Sequence, residues 1–144
     1  MPPADGQLDL VQRHGRAGAS AVHVHMSNTR LTDIDVLERR APVVIRRFEI
    51  RTGSGAAGAN RGGDGLVREY EFREPVSLSF FGSRRAHAPA SVQPLPGARA
   101  ASMGGQWTVI DGEACAQQES VLSLELGAGD RFGVETPGGG AYNA

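Results

Sequence analysis

Residues 23–65 read HVHMSNTRLTDIDVLERRAPVVIRRFEIRTGSGAAGANRGGDG. The run VVIRRFEIR inside this stretch decides the fold class. It is rich in β-branched and aromatic side chains, follows Pro42 and enters a glycine-dense loop, which is the pattern of a strand. Strict alternation puts Val44, Arg46, Phe48 and Ile50 on one face. Val43, Ile45, Arg47, Glu49 and Arg51 then fall on the other, so both faces are expected to be mixed. Just upstream, Thr32 or Asp33 can N-cap a short helix over residues 34–40. Asp33 and Asp35 suit its positive end and Arg39 and Arg40 its negative end. Pro42 stops it.

Working outward, residues 21–26 (AVHVHM) suit a short strand that places His23 and His25 on one face. Residues 52–65 form a loop whose glycines permit positive φ and tight backbone approach. Strands are expected at 66–72 and 76–81, with Glu74-Pro75 turning the chain between them. Residues 83–105 lack periodicity and contain Pro89, Pro94 and Pro96. A loop this long suggests that it covers a partner or a site. Short strands follow at 107–110, 121–126 and 131–135, separated by turns at Asp111-Gly112 and 127–130. The expected class is mainly β: about six strands, one short helix and long Gly/Pro-rich loops. Residues 1–20 are polar and read as a mobile N-terminal segment, or one that docks elsewhere, with the β-rich region over 21–144.

Composition narrows the function classes. The chain of 144 residues fits one domain, and its 20 glycines depress the hydrophobic share to 40%. A net charge of −1, with both signs spread along the length, gives no basic footprint for nucleic acid. All 15 basic residues are arginine. That removes a P-loop lysine, a Schiff-base lysine and a lysine general base, although coding bias produces the same composition. One cysteine, Cys115, forms no intramolecular disulfide and fits a reducing compartment. No stretch reads as a signal peptide or membrane span, so a cytoplasmic location is expected.

Several clusters could carry chemistry. His23 and His25 could both reach one metal from a strand face, or could be two solvent-facing polar residues. Asn28, Thr29 and Arg30 follow Ser27. Together they can hold a carboxylate or amide, with arginine giving a bidentate grip, or can simply form a turn before the helix. Residues 53–58 match GxGxxG, but a dinucleotide site needs a helix starting there, and a second strand follows instead. Arg61 and Asp64 flank flexible glycines, as an ion-paired turn or as part of a polar site. SRRAH at 83–87 can bind an anion or be a solvated loop. Residues 136–140 (TPGGG) permit close approach to a ligand or another chain. Cys115 lacks a paired histidine motif, which argues against a nucleophile.

The order of these blocks resembles the hydantoinase B/oxoprolinase family. HVHMSNTRLTD and VLERRAPVVIRRFEIRTGSG are similar to consecutive family blocks. RGGDGLVRE, FREPVSLSF, SRRAHAP, PGAR, the Gly129-Asp130 turn and TPGGGAY follow in family order. His14-Gly15-Arg16 also looks like a family remnant. The resemblance is close over residues 22–85 and looser to Tyr142. The Asn-Thr-Arg form of the first block points to the ATP-dependent 5-oxoprolinase branch. Departures include Ser27 for the usual threonine, Ala59-Asn60 before RGGDG, Gly82-Ser83 before the arginine pair and a shortened glycine run at 140–143.

The resemblance implies a C-terminal part of a larger enzyme that opens a cyclic amide, 5-oxoproline to glutamate, in glutathione metabolism. It implies ATP and Mg2+ bound outside this chain. The partners would be the remaining hydantoinase A-like and B-like portions, in a possible homo-oligomer, and the chain is expected to be inactive alone. His23, His25, Asn28, Thr29, Arg30, Arg61 and Asp64 are the expected substrate or framework residues, with His23 and His25 as metal candidates. No catalytic residue is assigned. The alternative is a non-catalytic β-rich interaction domain or a truncated, degenerate family member. An independent metal hydrolase built on the histidine pair lacks the further ligands it needs.

Overall fold

The structure is a computed structural model that describes residues 17–22, 31–82, 100–117 and 119–141. It is mainly β, with one helix and seven strands among the described residues. The elements are α1 (Ile34–Arg40), β1 (Val43–Arg51), β2 (Gly65–Phe72), β3 (Val76–Phe81), β4 (Gly105–Ile110), β5 (Glu113–Gln117), β6 (Val121–Leu126) and β7 (Arg131–Glu135). A five-stranded sheet runs in the order β1-β2-β7-β4-β5, and β3 and β6 form a separate two-stranded sheet. Every pairing is antiparallel.

The helix begins and ends where its sequence places it. The Asp33 side chain accepts the Asp35 N–H at 3.0 Å, and the Ala41 N–H closes the last turn onto the Leu37 carbonyl. Glu38 then accepts the Ile45 N–H at 2.8 Å. The helix thereby caps part of β1, the edge strand of the large sheet.

β1 departs from strict alternation. Its register against β2 shifts between Ile45 and Arg47, so Arg46 is the extra residue of a β-bulge. One added residue inverts the phase of everything after it. Val43, Ile45, Phe48 and Ile50 therefore share a face with Tyr70, Arg68 and Leu66. The polar residues Arg47, Glu49 and Arg51 share the other. The mixed faces expected from the sequence are corrected: the bulge sorts them. Arg46 itself turns out to Glu71, donating from Nε and one terminal nitrogen at 2.7 and 2.8 Å.

The small sheet covers one face of the large one. Val43, Phe72 and Phe132 from the large sheet pack with Leu122 and Leu126 of β6, and Leu78 and Phe80 of β3 join them. The Phe80 and Phe132 rings meet edge to face at 5.3 Å. Each large side chain buried here contributes about 2 kcal/mol. On the opposite face, Trp107 lies flat over Gly133, where a Cβ would overlap the indole.

Two local expectations are corrected. Residues 113–117 form β5, which the sequence pattern does not announce. The two-residue turn makes it: Asp111 and Gly112 adopt φ of 52° and 83°, the geometry that folds a strand directly back on its neighbour. Ala21 and Val22, expected to open a strand, instead form a turn and an irregular residue, with Ala21 at φ 58°. The remainder of that expected strand, residues 23–26, lies outside the described residues.

Candidate functional site

Three segments meet at the end of β1 and β2: residues 18–21, the glycine loop 53–65 and the stretch 136–141. Their backbones run unusually close. A Cβ on Gly62 would overlap the Gly139 carbonyl, one on Gly63 the Ala19 carbonyl and one on Gly138 the Ser54 carbonyl. Glycine is required at these positions for approach, not for positive φ. In this loop only Gly53, at 86°, needs the left-handed region. Backbone bonds lace the segments together: Gly18 N–H to Arg61, Ala56 N–H to Gly139, Gly139 N–H to Gly63, and Ser102 N–H to Ser54.

Asp64 sits at the centre of this hub and is buried. One carboxylate oxygen accepts the Gly55 N–H at 2.8 Å and the Arg61 guanidinium at 2.6 Å. Burial pushes the Asp64 carboxyl up. The Gly55 N–H, the Arg61 guanidinium and the Gly53 N–H outweigh it and hold the group below the usual carboxylate range. Around it, the Ser20 hydroxyl accepts the Asp64 N–H at 2.9 Å and the buried Ser54 hydroxyl accepts the Gly65 N–H at 2.8 Å. Thr136 accepts the Leu66 N–H at 2.7 Å. Arg51 pairs with Glu135 at 2.7 Å and donates to the Met103 carbonyl at 2.6 Å. A carboxylate so fully engaged is an anchor for backbone rather than a proton carrier.

Of the residues singled out in the sequence, the structure brings together Arg61 and Asp64. His23, His25, Asn28, Thr29 and Arg30 lie outside the described residues, as does the SRRAH segment at 83–87. Ala21 donates its N–H to the Asp64 carbonyl at 2.8 Å, and Leu31 lines a cavity on the covered face of the large sheet. No helix begins in the GxGxxG loop, as its sequence context indicated. Cys115 is exposed on β5.

That cavity has a volume of about 450 Å³ and walls that include Leu31, Leu37, Phe48, Leu66, Arg68 and Tyr70. The Arg68 guanidinium lies 5.1 Å from the Phe48 ring centre and 5.2 Å from that of Tyr70. Burial pushes the Tyr70 phenol up, with the Arg68 charge opposing. Sequence reasoning carried Ser54 and Thr136 only within the stretches 53–58 and 136–140, and missed Arg68. Ser54, a hydroxyl flanked by glycines, carried a readable signal. Arg68 did not, because alternation in β2 shows only that it shares a face with Leu66 and Tyr70.

The described residues gather no group of three or more His, Cys, Asp or Glu side chains able to hold a metal ion.

Two antiparallel sheets, locked at one end by a glycine hub around a buried aspartate, define a mainly β module with one short helix. Residues 12–144 match the family model described as Hydantoinase B/oxoprolinase, and the chain belongs to that family. An uncharacterized protein of Schizosaccharomyces pombe is 45% identical over 136 residues, covering 89% of this chain and 10% of that protein. 5-oxoprolinase 1 of Arabidopsis thaliana is 38% identical over 127 residues, covering 88% of this chain and 10% of its own length. Among solved structures, the ATP-dependent caprolactamase from Pseudomonas jessenii superimposes with a TM-score of 0.55 at 30% identity, over 77% of this chain and 20% of that one. The chain thus spans about a tenth of the length of these curated relatives.

Proposed function

We propose that this chain is the C-terminal, hydantoinase B-like β-rich portion of an ATP-dependent enzyme that opens 5-oxoproline to glutamate, and that it is inactive alone. The observation that carries this reading is the 38% identity with a protein named 5-oxoprolinase along 88% of the chain. A relative named ATP-dependent caprolactamase supports the wider class of lactam opening. Residues 21–144 form the working region, with residues 1–20 leading into it.

A lactam carbonyl is a weak electrophile, and transfer of the ATP γ-phosphoryl group to its oxygen, with release of ADP, would make the carbon a better one. Water would add there, the ring C–N bond would break with the nitrogen taking a proton, and hydrolysis of the resulting acyl phosphate would give glutamate and phosphate. ATP and Mg2+ would be held in the hydantoinase A-like portion, outside this chain. The task left to this portion is to bind and orient. Arg30 grips the substrate carboxylate with two parallel N–H donors, and Asn28 and Thr29 hydrogen-bond the ring amide. His23 and His25 are the pair that would reach a metal. Asp64 and Arg61 brace the glycine hub. The partners are the remaining A-like and B-like portions, in a homo-oligomer of the full enzyme. A cytoplasmic location agrees with the single cysteine, and no described helix is long and apolar enough to cross a membrane.

The test is glutamate formation from 5-oxoproline and ATP by the full-length protein that carries this chain. Arg30→Met is expected to raise KM for 5-oxoproline about 10- to 100-fold with the melting midpoint unchanged. Wild-type KM and kcat in that variant would remove Arg30 from the substrate site. Turnover of a hydantoin or caprolactam in place of 5-oxoproline would overturn the substrate.

A further inference from the structure

The small sheet covers only part of the large one. β3 and β6 lie over Val43, Phe72 and Phe132. Toward the far end of β1, the register places Phe48 and Ile50 on the same face as Leu66 and Arg68. Phe48 and Ile50 remain 43% and 49% exposed. Leu31, at 46%, adds to the same rim. The cavity of about 450 Å³ opens between the covered and uncovered halves.

One cation interrupts this apolar surface. Arg68 is held between the Phe48 and Tyr70 rings, and its Nε is buried without a hydrogen-bond partner. That N–H is enclosed and beyond an incoming partner's reach, so Arg68 presents its positive charge at the cavity wall rather than a free donor. The described residues lining the cavity include no carboxylate. The face is thus complementary to an apolar body that carries its own negative charge.

We propose that this face docks an apolar, carboxylate-bearing segment from the part of the same enzyme that lies outside these 144 residues. The proposal rests on reading the chain as a portion of a larger enzyme. Two observations select this occupant. The matched relatives are about ten times as long as the matched segment, so most of the polypeptide available to cover the face lies elsewhere in sequence. The Arg68 charge then argues against a second copy of this chain. A two-fold contact would set this face against itself, bringing Arg68 toward another Arg68 and supplying no acid.

The test places the photo-reactive residue p-benzoylphenylalanine at Phe48, and separately at Ile50, in the full-length protein, and maps the cross-linked peptides by mass spectrometry. Ile50 is half exposed and carries little of the core, so its replacement leaves the fold intact. Both positions are expected to capture one apolar segment outside residues 1–144 that contains an Asp or Glu, with a yield that falls several-fold on Arg68→Met. Cross-links confined to residues 1–144, cross-links between two copies, or a co-purifying anionic amphiphile in place of a peptide would each overturn the docking proposal. The readout needs no turnover. An immunoblot of the native protein separates the two readings: a band at 15.2 kDa removes the larger enzyme itself, while a heavier band with only internal cross-links removes the docking alone.

Discussion

Asp64 and Arg61 are paired, yet they are unequal. Asp64 is buried and also satisfies the Gly55 N–H, while the Arg61 side chain is 42% exposed. Asp64→Ala is therefore expected to cost about 2–3 kcal/mol, because it strands a buried donor. Arg61→Gln is expected to cost about 1 kcal/mol or less, because water replaces its partner. Chemical denaturation of the two variants checks the ranking. The Asp64 pKa is depressed in the folded state. Its contribution is fully present above the unfolded carboxylate pKa of about 4 and is lost as pH falls through the lower folded value. Melting midpoints between neutral pH and acid should therefore fall less steeply for Asp64→Asn than for the parent chain. Glycine packing gives a second contrast. Gly62→Ala drives a methyl into the Gly139 carbonyl, whereas Gly140→Ala meets nothing within 4 Å. The first is expected to cost about 3 kcal/mol or more and the second within about 0.5 kcal/mol, both read from denaturation midpoints.

β1 carries the same lesson at the scale of an element. Its apolar residues sit in two phases, Val43 with Ile45 and Phe48 with Ile50. Arg46, bulged out, brings both onto the core side. Deleting Arg46 leaves VVIRFEI, which alternates without interruption. The deletion is expected to keep the fold and a near-parental midpoint, losing only the exposed pair with Glu71. Deleting Arg46 and Arg47 together instead sets Ile45 beside Phe48 with no residue left to bulge, turns Phe48 and Ile50 to the polar face and is expected to lower the midpoint sharply. Thermal melts and limited proteolysis of the single and double deletions distinguish these outcomes. The helix α1 and strands β1 and β3 were readable residue for residue, since capping, proline and period-2 signals are local. β5 was not. Its sequence EACAQ is small and polar, without an apolar face, and it becomes a strand because the Asp111-Gly112 turn delivers it to β4.

The whole molecule leaves one sheet face half open, with Leu31, Phe48 and Ile50 forming an apolar rim. The isolated chain is expected to bind ANS above the level of a compact control protein, and Phe48→Gln with Ile50→Thr is expected to reduce that signal. A dye response no greater than the control would show the face to be covered within the chain. Taken alone, the sequence determined the mainly β class, the helix and most strands, the turn at Asp111-Gly112 and the membership of a family read from ordered motifs. These are properties of neighbouring residues, set by periodicity and by what each side chain permits its own backbone. Of the candidate site, Arg61 and Asp64 were legible as a pair across a glycine turn. Only the tertiary structure decided that Asp64 is a buried anchor, that the glycines serve close approach more than positive φ, that Arg46 bulges and that Arg68 faces an open apolar wall. Those outcomes depend on which distant segment arrives opposite each residue, and local sequence does not carry that information.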